Sequence, residues 1–278
     1  MEILDIIKEA FVFPSQNLEK LAIYIVITFV LGILVAGGLF SALWGVNDSA
    51  IGLILGAILF IAAIAVGLII SGYQLSILKS GIDQTPEAPS FEWAKDLVNG
   101  IKLLIVNIVY FIIPAIIVLI IGLITNVPGN IAQFAQEAAV APANATAVAN
   151  STGLAVSAVS ESTMAAFTSS LAITAIVAVI VFIIFAFLAT MGQSRLANTG
   201  DLREGINIPE AFKDLSRIGI GKVVAVIILA MVVVAVINSI LSYLYGQVPQ
   251  LSILSVIVTP YLAFFTQRAT GLLYSDIA

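Results

Sequence analysis

The chain has 278 residues, 61% of them hydrophobic and 10% charged, with a formal net charge of −5 and a mean hydropathy of +1.15. Soluble domains carry roughly 25% charged residues, so a soluble globular fold is excluded. Cysteine and histidine are both absent, which removes disulfides, thiolate chemistry, imidazole ligands and histidine proton relays. The few basic residues form no strip that would suit nucleic acid.

Residues 2–13 predict a short amphipathic helix, with Ile3, Ile6, Ile7, Ala10 and Phe11 on one face and Glu2, Asp5, Lys8 and Glu9 opposite. Pro14 is expected to end it, because proline disfavours helix in the residue before it. The segment is too charged for a signal peptide and is expected to lie in the membrane interface. Six apolar runs follow at 21–44, 50–72, 101–125, 169–191, 222–244 and 250–266. Each matches the roughly 17–25 residues that cross a bilayer as a helix. They are apolar all round, unlike the alternating strands of a membrane barrel. The expected fold is all-α: one transmembrane domain of six helices in a bundle, with short interfacial amphipathic helices.

Trp44 suits a membrane–water boundary, and the turn Gly45-Val46-Asn47-Asp48-Ser49 separates the first two spans. Along the second span Gly52, Gly56, Ala63, Gly67 and Ser71 repeat largely at intervals of four. Small residues so spaced let a neighbouring helix approach closely, which predicts a helix-packing face. Pro114 interrupts the third span and is expected to kink it. Residues 126–168 form a polar loop rich in Ala, Ser, Thr and Asn, with a short helix expected near Ile131–Val140.

All eleven Lys and Arg residues fall before the first span, in the connectors 73–100 and 192–221 and at their exits (Lys102, Lys222), or after the last span. Positive flanks stay in the cytoplasm, so both termini and both connectors are expected there, in a plasma membrane. Six is the simple span count that satisfies this division. The 126–168 loop is then external, where the sequons at Asn144 and Asn150 predict glycosylation.

The two connectors are similar. Gln74 and Gln193 close the incoming span, and Gly81 and Gly200 follow seven residues later. Pro89 and Pro209 open amphipathic segments containing Lys95-Asp96-Leu97 and Lys213-Asp214-Leu215, and Lys102 and Lys222 begin the next spans. The chain ends fit the same plan loosely, which predicts a parallel internal repeat of an interfacial helix plus a two-span hairpin.

Several of these motifs also carry a family resemblance. Phe11-Val12-Phe13-Pro14-Ser15, Gly72-Tyr73-Gln74, Gly81, Pro89, Phe91, Trp93, Leu97, Gly100-Ile101-Lys102 and Tyr110 through Pro114 resemble a largely archaeal family of multi-pass membrane proteins. That family is catalogued as domain of unknown function four thousand and thirteen. The resemblance covers nearly the whole chain except 126–168, and it implies topology and an archaeal plasma membrane but no functional residues.

Apart from Lys102 and Lys222 at the starts of their runs, no Asp, Glu, Lys or Arg lies inside the six apolar runs. Ionisable groups at membrane depth are the usual sign of ion coupling or intramembrane catalysis, so the chain is not expected to be an enzyme. No catalytic, metal or cofactor-binding residues are predicted. Polar residues near the spans are expected to hydrogen-bond between helices, or else Asn107, Tyr110, Pro114 and Asn238 line a cavity. Two functions stay open: a non-enzymatic scaffold or accessory membrane subunit, and a transporter, channel or lipid-handling protein for a neutral or lipid-like solute. The expected partners are membrane lipids, and other membrane proteins or further copies of the chain.

Overall fold

The computed structural model describes residues 1–48, 50–139 and 159–278. Ser49 and the sequons at Asn144 and Asn150 lie outside the described residues. The elements are α1 (Ile3–Gln16), α2 (Leu18–Asp48), α3 (Ala50–Ile82), α4 (Trp93–Ile124), α5 (Val127–Ala139), α6 (Glu161–Thr199), α7 (Leu202–Gly205), α8 (Ile208–Ile218), α9 (Ile220–Gln247), a 3-10 turn (Pro249–Leu254) and α10 (Ser255–Tyr274). Six segments are long and apolar enough to cross a membrane: Leu18–Val46, Ala50–Ile82, Trp93–Ile124, Glu161–Thr199, Ile220–Gln247 and Pro249–Tyr274. The described residues contain no strand. The all-α six-span fold is confirmed.

Several helices outrun their apolar runs. α3 continues to Ile82 and α6 to Thr199, so the non-helical part of the first connector shrinks to 83–92. The extensions persist because protein covers them: Leu75, Ile77, Leu78 and Ile82 of α3 and Leu196 and Ala197 of α6 are all buried. α4 runs through Pro114 as one helix, and α1 passes Pro14 to end at Gln16.

Residues 1–108 together with 187–278 form one compact unit, and 109–186 form another. In the first unit, glycines set the helix crossings. A Cβ built on Gly72 of α3 would lie 1.7 Å from the Asp96 carbonyl oxygen of α4, and one on Gly100 would lie 1.9 Å from the Leu68 carbonyl oxygen. A Cβ on Gly271 of α10 would sit 2.2 Å from the Leu78 carbonyl oxygen of α3. Gly52 and Gly56 pack against α2, with Gly45 and Ala42 as near neighbours. Ala63 is buried, Ser71 Oγ donates to the Gly67 carbonyl at 2.9 Å, and the space around Gly67 is open.

An aromatic cluster joins α1, α2, α3 and α10. Tyr73 stacks on Phe91 at 3.6 Å between ring centres, and Tyr24 meets Phe264 edge-on at 5.2 Å. The hydroxyls are bonded as buried tyrosines require: Tyr73 donates to the Pro89 carbonyl at 2.9 Å, and Tyr24 accepts from Gln74 at 2.7 Å. The 83–92 linker is thereby tied to α3.

The second unit holds the later part of α4, α5 and the start of α6. Phe134 stacks on Phe167 at 4.8 Å, and the Thr125 and Thr174 hydroxyls lie 3.0 Å apart. Glu137 closes the N-terminus of α6. Its carboxylate accepts from Thr163 Oγ1 at 2.5 Å and from the Ser160 amide at 2.8 Å and hydroxyl at 2.9 Å.

Candidate functional site

The first unit gathers a layer of polar side chains where α3, α6 and α10 end and α1, α4 and α8 lie. Three of these groups are almost completely buried: Asp96, Asp214 and Arg268 are each 1% exposed. A buried charge persists when it is paired and hydrogen-bonded, and each of the three is bonded.

Arg268 of α10 serves the end of α3. A helix end leaves carbonyls without intrahelical donors, and the guanidinium supplies a planar fork of donors to such groups. Its Nη1 donates to the carbonyls of Ser80 and Thr85, both at 2.7 Å, and its Nη2 to Glu9 of α1 at 2.6 Å. The group lies over the Phe13 ring at 4.5 Å, and Nε finds no hydrogen-bond partner among the described residues.

Asp214 of α8 is the second centre. It accepts from Arg195 of α6 at 2.7 Å, from Arg217 at 3.2 Å and from the Tyr274 hydroxyl of α10 at 2.8 Å. Arg195 also bonds Glu204, donating to both its side chain and its carbonyl. α8 is held at its own start by Asn207, whose side chain accepts from the Glu210 amide at 3.3 Å, the usual N-cap arrangement. The Glu210 carboxyl is lowered chiefly by its hydrogen bond from Lys213.

Asp96 is the third centre and sits in the first turn of α4. It accepts from the Glu92 amide at 2.9 Å, one of the donors that a helix start leaves without an intrahelical partner. Ser76 of α3 donates to it at 3.3 Å.

Glu9, Asp96 and Asp214 share a local sequence pattern. Each follows a lysine, in Lys8-Glu9, Lys95-Asp96 and Lys213-Asp214, on a helical segment that leads into a spanning helix. Each accepts from a residue near the far end of a spanning helix: Arg268, Ser76 and Arg195 respectively. In the sequence Asp96 and Asp214 fall within amphipathic connector segments, and their burial was missed. The Lys-acid dipeptide before each pair of spans was the signal available.

An open cleft of about 440 Å³ adjoins this layer, lined by Ser76, Lys79, Asp83, Lys95, Asn99 and Gly200 among others. Its lysines are engaged, Lys79 with Asp83 at 2.6 Å and Lys95 with Glu92 at 2.9 Å. Lys102 donates to the Gly200 carbonyl at 2.8 Å. At another edge Lys222 of α9 donates to Asp276 and, at 2.6 Å, to the Met1 carbonyl. Partial burial works to raise the Asp276 carboxyl, but Lys222 and the Met1 amine hold it below its ordinary value.

The residues predicted to line a cavity are placed differently from one another. Asn107 accepts from Gln193 at 2.8 Å, Tyr110 is buried, and Asn238 is exposed on α9. Pro114 is buried within α4. Among the described residues no group of three or more His, Cys, Asp or Glu side chains converges to hold a metal ion.

Six spanning helices with their charged groups gathered at helix ends define an α-helical polytopic membrane protein. The chain belongs to the family described as protein of unknown function (DUF4013), whose profile matches residues 55–246. No curated protein and no solved structure matches it.

Proposed function

We propose that the chain is a non-enzymatic membrane scaffold or accessory subunit. The observation that supports this reading is the burial of Asp96, Asp214 and Arg268, each spent on bonds between helices of the same chain. A general acid, base or nucleophile must reach a substrate atom, and these groups are closed off from one. Their work is to fix helix ends to one another.

In this reading the polar layer is cytoplasmic, as the clustering of Lys and Arg supports, and both termini lie on that side of the plasma membrane. The three Lys-acid dipeptides and their partners on α10, α3 and α6 support a threefold parallel repeat. Each copy presents the same latch with a different donor. Extraction of the tagged full chain in native nanodiscs, followed by native mass spectrometry, tests the role. A complex of fixed stoichiometry with other membrane proteins supports it. Solute flux through proteoliposomes holding the chain alone overturns it.

The 440 Å³ cleft favours a second reading, a binding protein for a small polar solute. Its volume falls within the roughly 300–1,000 Å³ of ligand pockets, and hydroxyl, amide and both charge signs line it. Flux abolished by Asn99→Leu would mark that reading as the better one.

A further inference from the structure

Besides the polar layer, the first unit carries an apolar groove of about 530 Å³ between α1 and α9. Ile7, Phe11 and Val12 form one wall and Val232, Val236 and Ile237 the other, with Lys8 at the edge. α1 runs along α9 and does not cross its mouth. Met1 is bonded to Lys222, yet the groove reaches Val232 and Ile237, 10 and 15 residues further along the same helix. At 1.5 Å per residue that is a depth of about 15–22 Å. The C-terminal half of α1 therefore faces the apolar length of a spanning helix. Short valine side chains on both helices leave the furrow between them unfilled, and Phe11, Val12, Val232 and Val236 are all exposed in the chain.

Lys8 distinguishes this groove from ordinary lipid-facing surface. It is exposed, and it makes no ion pair among the described residues, whereas Lys20, Lys79, Lys95, Lys213 and Lys222 each do. A lysine on a flank of apolar side chains extends its stem along them and places its ammonium toward the headgroups. The adjacent acid, Glu9, is taken up by Arg268. A free cation beside an apolar furrow open to the bilayer complements one kind of occupant, an anionic headgroup carrying an acyl chain.

We infer that the α1–α9 groove binds an anionic phospholipid, one acyl chain lying between Phe11 and Val236 and the headgroup phosphate pairing with Lys8. This site goes beyond the scaffold reading and does not depend on it. The test is native mass spectrometry of the detergent-purified full chain with dioleoylphosphatidylglycerol or dioleoylphosphatidylcholine, on wild type, Lys8→Gln, Lys8→Arg and Val236→Trp. The wild type is expected to retain phosphatidylglycerol preferentially. Lys8→Gln should cut that preference about fivefold, the effect of one lysine beside an anionic headgroup, and Lys8→Arg should keep it. Val236→Trp, at an exposed position that tolerates bulk, should lower retention of both lipids by filling the furrow. An unchanged lipid ratio in Lys8→Gln overturns the inference. So does unchanged retention in Val236→Trp, or a wild-type dimer that Val236→Trp converts to monomer, which would make a second copy the occupant.

Discussion

Arg195 and Asp214 meet at 2.7 Å with the aspartate almost wholly enclosed, and the same carboxylate takes the Tyr274 hydroxyl from a third helix. One buried anion thus joins α6, α8 and α10. Asp214→Ala leaves Arg195 without this partner in an enclosed site, and removing one member of a buried pair costs about 3–5 kcal/mol. Arg217 touches the same carboxylate from an exposed position, with 60% of its side chain accessible. Exposed pairs contribute about 0–1 kcal/mol. Thermal unfolding in one detergent should therefore show a large loss for Asp214→Ala and a small one for Arg217→Ala. Equal losses would mean that enclosure is not what makes the contact matter.

The glycine crossings give a second contrast. Gly72→Ala must push a methyl to 1.7 Å from the Asp96 carbonyl oxygen, whereas a methyl at Gly67 meets nothing within 4 Å. Backbone atoms cannot step aside as a side chain can, so α3 and α4 must separate. Overpacking of this kind costs about 1–3 kcal/mol or more. Gly67→Ala should be neutral or stabilising by up to about 1 kcal/mol, because alanine is the better helix former. Circular dichroism melts of the two variants check this directly.

How much of this was visible in the sequence varies from element to element. The six spans and the family were legible because hydropathy reports on lipid and the Gly72-Tyr73-Gln74 and Pro89 motifs lie in the chain itself. Helix length was not: hydropathy falls after Gly72 although α3 continues to Ile82, sheltered by protein instead of lipid. Arg268 read as a positive flank, which its charge supports, but its burial depends on Ser80, Thr85 and Glu9, from 183 to 259 residues away. Spacing along one chain carries no information about such meetings. The packing of Gly72 and Gly100 at the α3–α4 crossing escaped for the same reason: Gly72 directly follows the small-residue stripe from Gly52 to Ser71, and the backbone it meets belongs to another helix.

Arg268 also separates charge from geometry. A lysine at this position would keep the cation, yet a single ammonium cannot reproduce a planar fork reaching two carbonyls and a carboxylate. Hydrogen bonds to charged groups are worth about 1.5–3 kcal/mol each, so Arg268→Lys should lose at least one such contribution. Arg268→Met, which removes every donor from the Ser80 and Thr85 carbonyls as well as the partner of Glu9, should cost more than the lysine variant. A denaturation series in which Arg268→Lys matched wild type would show that charge alone suffices.

The second unit offers a pH test through Glu137. Its hydrogen bond from Thr163, then those from Ser160 and Gln133, hold its carboxyl down at about 2. A carboxyl depressed in the folded state stabilises the fold fully above its unfolded value, 4.5 here. That contribution is lost as pH falls through the folded value. The contact between α5 and the start of α6 should therefore be intact at neutral pH, weaken below about 4.5 and vanish near 2. Hydrogen exchange reads this out at the Ser160 amide, which donates to the carboxylate at 2.8 Å. Its protection factor should fall across that window in the wild type. Glu137→Gln should show reduced protection that no longer responds to pH, because the neutral amide accepts more weakly and does not titrate. A wild-type protection factor that stays constant from about pH 6 to about pH 2 would mean that Glu137 does not hold the two helices together.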